Sequence, residues 1–117
     1  MTDELNYWNP FEGGATIGTL GSESGVIIED DECAAAARIT LERSGDTAPF
    51  AITCGLYGWF FHTRFFSAED EARREYQEMK IELGRMANLY SEPLMSDEEI
   101  NRILMAEVSR FIGRFPT

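Results

Sequence analysis

The sequence predicts an α+β domain, an antiparallel β-meander of about five strands followed by two C-terminal amphipathic helices packed on one face of the sheet. Three observations predict it. Extended, alternating segments fill the chain up to Phe66, helical periodicity takes over at Ser67, and no strand signal returns after it. Between them, Phe50 to Lys80 set a strand pair and its tight turn directly against the start of a long helix. At 117 residues the chain is of single-domain length, enough to bury about two thirds of the surface its unfolded form exposes. Residues 1–117 therefore read as one domain, with an N-terminal arm over 1–14, a sheet over 15–66 and two helices over 67–115.

The arm mixes Tyr7, Trp8 and Phe11 with the turn residues Asn9-Pro10 and Gly13-Gly14, so it should pack onto the domain through its rings. Ala15–Leu20, Val26–Glu29 and Ala36–Glu42 read as strands, divided by the glycines from Gly21 to Gly25 and by an acidic turn at Asp30-Asp31-Glu32. The third is the clearest, with Ala37, Ile39 and Leu41 on one face and Arg38, Thr40 and Glu42 on the other, the pattern of a sheet wet on one side. Phe50–Gly55 is the fourth strand and Trp59–Phe66 the fifth. If Tyr57-Gly58 is a two-residue turn, Leu56 faces Trp59, Cys54 faces Phe61 and Thr53 faces His62. Trp59 and Phe61 then join the core, and His62 and Arg64 share the open face with Phe60, Phe66, Thr53 and Arg38.

Ser67 is placed to cap the first helix, with Asp70 at the third helical position and Glu69 and Glu71 in the electropositive first turn. Ala72, Tyr76, Met79, Leu83, Met86 and Tyr90 form one apolar stripe at spacings of four and three. Gly84 weakens the interior and points to a close packing contact. Glu92-Pro93 ends the helix. Ser96-Asp97-Glu98-Glu99 is a capping box, with Met95 and Ile100 as its hydrophobic staple. Ile100, Ile103, Leu104, Val108, Phe111, Ile112 and Phe115 make the apolar side of the second helix, which Gly113 and Pro116 stop.

Twenty-one acidic residues against ten basic give a formal charge of −11, which repels phosphate backbones and argues against nucleic acid as a partner. The N-terminus carries no secretory pattern, and the longest apolar run, Gly55 to Phe61, is far short of the roughly 20 residues that span a membrane. A cytoplasmic protein without a membrane partner is expected. Cys33 and Cys54 should be buried, reduced thiols rather than a disulfide framework.

Few residues offer chemistry. His62 is the single histidine and the first choice for a general base near neutral pH. A Cys54–His62 nucleophile pair is disfavoured, because the two-residue turn sends them to opposite faces. Glu29-Asp30-Asp31-Glu32 lacks the glycine and distal glutamate of a calcium loop and reads as a solvated hairpin turn. One histidine and two separated cysteines do not make a zinc set, and Thr19 stands where a phosphate loop needs lysine. No metal or cofactor is expected. The glycines from Gly13 to Gly25 serve turns and bulges of an edge strand, and the carboxylates from Glu69 to Glu82 form the solvated side of a helix laced with Arg73, Arg74 and Lys80.

Phe60 and Phe66, left beside His62 and Arg64 on an uncovered face, call for a cover, which the helices, the N-terminal arm with Tyr7, Trp8 and Phe11, or a second subunit could supply; a homodimer through that face is the leading expectation. The functional expectation is a non-enzymatic interaction or regulatory module that self-associates through its sheet and engages a basic protein. The alternative is an enzyme or a binder of an anionic small molecule, using a pocket near His62 and Arg64. The candidate residues are His62, Arg64, Thr53, Phe60, Phe66 and Arg38.

Overall fold

A computed structural model describes residues 8–33, 36–90 and 96–117. Five strands, β1 (Trp8–Pro10), β2 (Val26–Cys33), β3 (Ala37–Arg43), β4 (Phe50–Leu56) and β5 (Phe60–Phe66), pair antiparallel in the order of the chain. Helices α1 (Glu69–Tyr90) and α2 (Asp97–Arg114) follow and lie on one face of this sheet. The predicted α+β class and strands-then-helices order hold. No helix among the described residues is long and apolar enough to cross a membrane.

The core lies between sheet and helices. Ile39, Leu41, Ile52 and Leu56 point down from β3 and β4 onto Tyr76, Met79, Leu83 and Met86 of α1, all fully buried. Each side chain of this size contributes about 2 kcal/mol through loss of its contact with water. Phe111 and Phe115 carry α2 to the sheet, with the Phe111 ring 5.6 Å from that of Phe60 and 4.8 Å from that of Phe115. The stripe anticipated on α1 is therefore the buried one from Ala72 to Met86, Gly84 is buried as well, and the capping box at Ser96 and Glu99 forms in both directions. The expected stop at Glu92-Pro93 and the staple at Met95 lie outside the described residues.

Four expectations about the elements are corrected. The first expected strand, Ala15–Leu20, is a run of turns whose one ladder bridge to β2 is Leu20 to Val26, beside backbone bonds joining Gly18 and Thr19 to Ile27. The arm supplies the missing strand instead, since Trp8, Asn9 and Pro10 pair with Cys33, Glu32 and Asp31. The acidic residues 29–32 are not a turn: β2 runs through them to Cys33, because each carboxylate finds a donor on another element. The first backbone acceptor of α1 is Ala68, bonded by the Ala72 N–H at 3.1 Å, so Ala68 and not Ser67 occupies the cap position.

The fourth correction concerns register. Cys54 pairs with His62, Leu56 with Phe60 and Ile52 with Arg64, which makes the β4–β5 loop three residues long, Tyr57, Gly58 and Trp59. Gly58 has φ of 83° while Tyr57 does not turn positive, and the Trp59 N–H bonds the Leu56 carbonyl at 2.9 Å. That is a type II turn, whose twist does not match a two-residue hairpin, so Trp59 enters the loop. A one-residue change in loop length moves every β5 side chain to the other face.

Candidate functional site

The changed register divides the six candidate residues between two faces. His62, Arg64, Phe60 and Phe66 point toward the helices, where Phe66 is buried and Phe60 packs on Phe111. His62, 9% exposed, donates from Nε2 to the Phe115 carbonyl at 2.5 Å. Arg64 donates to the Pro116 carbonyl at 2.8 Å and to Glu75 at 2.6 Å. These groups fasten the end of α2 to β5 and do not form an open anion site. Cys54 does share a face with His62, contrary to the two-residue turn, but burial pushes its thiol up to about 12, so it stays protonated at neutral pH. Both cysteines are free and buried.

Arg38 and Thr53 lie on the other, outer face with Thr40, Glu42, Thr63 and Phe61. That face is not simply wet. Residues 15–25 cross it as a strap, and Glu42, only 1% exposed, is the post to which the strap is tied. Its Oε1 accepts the backbone N–H groups of Gly25 at 3.0 Å and Glu23 at 3.1 Å. Gly21 lies so close that a Cβ there would sit 2.3 Å from the Glu42 carboxyl carbon, so any side chain at this position would push the carboxylate off the strap. A second post is Asp30, 3% exposed, which accepts from Thr16 at 2.7 Å, Thr40 at 3.2 Å, and Arg38 at 2.9 and 2.6 Å.

The acidic run thus alternates as an extended segment must, but none of its members is spare. Asp30 and Glu32 face outward, to Arg38 and to the Tyr57 hydroxyl at 2.8 Å. On the helix side, Glu29 takes Arg73 at 2.7 Å, and Asp31 takes Tyr76 at 2.7 Å and Lys80 at 3.3 Å. The hydrogen bond to Asp30 outweighs desolvation and raises the Arg38 guanidinium above its ordinary value. Burial, then the bond to Glu32, pushes the Tyr57 phenol up to about 12. The Arg38 guanidinium also stacks 3.7 Å over the Phe11 ring, so the arm is held by its aromatic residues, as expected, with Trp8 packed against the core. Tyr7 lies outside the described residues.

Between strap and sheet is a groove of about 660 Å³. Thr40, Thr53, Thr63 and Gly55 form its floor, and Leu20 and Phe61, 75% and 73% exposed, stand at its rim. Ser22 of the strap reaches the floor, 3.4 Å from the Thr53 hydroxyl, which is 3.3 Å from that of Thr63. Glu42, Thr63, Leu20 and Phe61 did not stand out in the sequence. The alternation that put Thr40 and Glu42 opposite Ile39 and Leu41 was the available signal, and the glycines before Val26 were the sign of a segment lying close against a neighbour. Among the described residues, no group of three or more histidine, cysteine or acidic side chains is arranged to hold a metal. No family model, curated protein or solved structure matches this chain.

Proposed function

We propose that this chain is a non-enzymatic binding protein whose ligand is a small molecule seated in the groove between the strap and the outer face of the sheet. The observation that carries the reading is the groove itself. Its volume of about 660 Å³ falls within the roughly 300–1,000 Å³ typical of ligand sites, and it combines an apolar rim with a hydroxyl-lined floor. The placement of two candidate bases favours a binding role over catalysis: the single histidine lies on the opposite face with its Nε2 bonded to a carbonyl, and the buried Glu42 is held by backbone donors. The free thiols go with a reducing, cytoplasmic setting.

The test is a small-molecule fragment screen read by amide chemical shifts. Hits should perturb residues 19–22, 53–55 and 61–63 together, and filling the floor with Thr63→Phe should abolish them while the melting temperature holds. Perturbations confined to the surroundings of His62 and Arg64, or none at all, would overturn the reading. Association through the same face, with a second copy or a basic protein, is the second reading, and the exposed Leu20 and Phe61 favour it. Two side chains fall well short of the roughly 800 Å² per partner of a standard interface, so it ranks second. Shifts of the same amides with protein concentration alone would reverse the order.

A further inference from the structure

Resting on the reading of the groove as a ligand site, the direction of its hydroxyl hydrogen bonds says what kind of ligand it takes. Ser22 has one hydroxyl proton and three neighbours: Glu23 Oε2 at 3.3 Å, Glu42 Oε2 at 3.5 Å and Thr53 Oγ1 at 3.4 Å. The carboxylates can only accept, and a hydrogen bond to a charged acceptor is about twice as strong as one between neutral groups. The Ser22 proton therefore goes to a carboxylate, whichever of the two it meets. Toward Thr53, Ser22 then presents a lone pair, and Thr53 must be the donor. With its single proton used, Thr53 can only accept from Thr63, 3.3 Å away. Every hydroxyl proton in the row points toward the carboxylates, and the last oxygen, Thr63 Oγ1, presents lone pairs to the groove.

The charge around the groove has the same sense. Glu23 and Glu42 line it, and the one cation among the described residues of its wall, Arg38, has its Nε and Nη2 bound to Asp30. An anion arriving there would meet acceptors and like charge. A cationic donor would meet an acceptor chain ending in two carboxylates, and binding it would polarise the whole row in one direction. We propose that the groove selects a small amine, its ammonium nitrogen donating to Thr63 Oγ1 and its apolar body lying between Leu20 and Phe61. This reverses the charge of the ligand expected from His62 and Arg64.

Three probes of matched apolar size test this on the wild-type protein by NMR titration: 2-phenylethylamine, benzyl methyl ether and phenylacetate. The amine should bind at least about tenfold more tightly than the ether, as expected for a charge-assisted bond, and phenylacetate should bind most weakly. Thr63→Val should remove most of the amine's advantage, and Thr63→Ser should restore it. If the ether or phenylacetate binds as well as the amine at the groove amides, the selectivity is wrong while the ligand site stands. If no probe shifts those amides up to its solubility limit, both fall. Undiminished amine preference in Thr63→Val would overturn the assigned acceptor, and the wild-type comparison decides the selectivity whether or not that variant folds.

Discussion

Glu82 shows how one side chain comes to join two elements. From α1 it accepts Arg110 Nη2 at 3.1 Å and Arg114 Nη1 at 3.0 Å, both on α2, and it also pairs with Arg85 one turn along its own helix. Partial burial alone would raise its carboxyl, but Arg85 and Arg110 outweigh that and hold it below the ordinary value of 4.5. A carboxylate whose pKa falls on folding stabilises the folded state above its unfolded pKa, and this contribution is lost as pH drops through the folded value. Thermal melts taken from neutral into acid should therefore show the wild type melting above Glu82→Gln at neutral pH and losing more of its melting temperature in acid, the gap closing only below about pH 4.5. Curves that stay parallel through the acid range would show that the arginine cluster contributes nothing.

At the scale of elements, the β4–β5 turn decides which residues are functional. Gly58→Ala places a Cβ on a backbone with φ of 83°, where nothing crowds the site. The cost should be conformational only, about 1 kcal/mol in urea unfolding, and an unchanged midpoint would contradict the turn geometry. The helices were legible because their signals are local: Ala72 to Met86 repeat within one segment, and Ser96 and Glu99 cap within one turn. Strand faces were less legible. The β4–β5 register hangs on whether Trp59 belongs to the loop, and β2 carries a bulge between Ile27 and Glu29 that breaks its alternation. The acidic run looked like a turn because the donors that let it pair as a strand, Arg38, Arg73, Tyr76 and Lys80, lie far along the chain or on another element. Half of the site was readable, since alternation placed Arg38, Thr40, Glu42 and Thr53 on a face of their own. Its roof was not, because the strap is tied to Glu42 and Asp30 across 14 to 20 residues.

For the whole molecule, the fastening of the α2 end to β5 closes the structure. Phe115 is fully buried, and its carbonyl and that of Pro116 are the partners of His62 and Arg64. Removing residues 115–117 should cost on the order of 3 kcal/mol, the scale of losing a buried phenylalanine, measured by urea unfolding. A loss no larger than that of an exposed-residue change would mean the fastening is ornamental. The sheet gives this closure a place in time. Each strand pairs with its neighbour in the chain, so the hairpins can zip by short-range closure, whereas the bonds to Phe115 and Pro116 span 53 and 52 residues and should form after the sheet. An interaction absent from the folding transition state controls the unfolding rate alone. Removing residues 115–117 should therefore speed unfolding and leave the folding rate, set by the hairpins, unchanged in stopped-flow measurements.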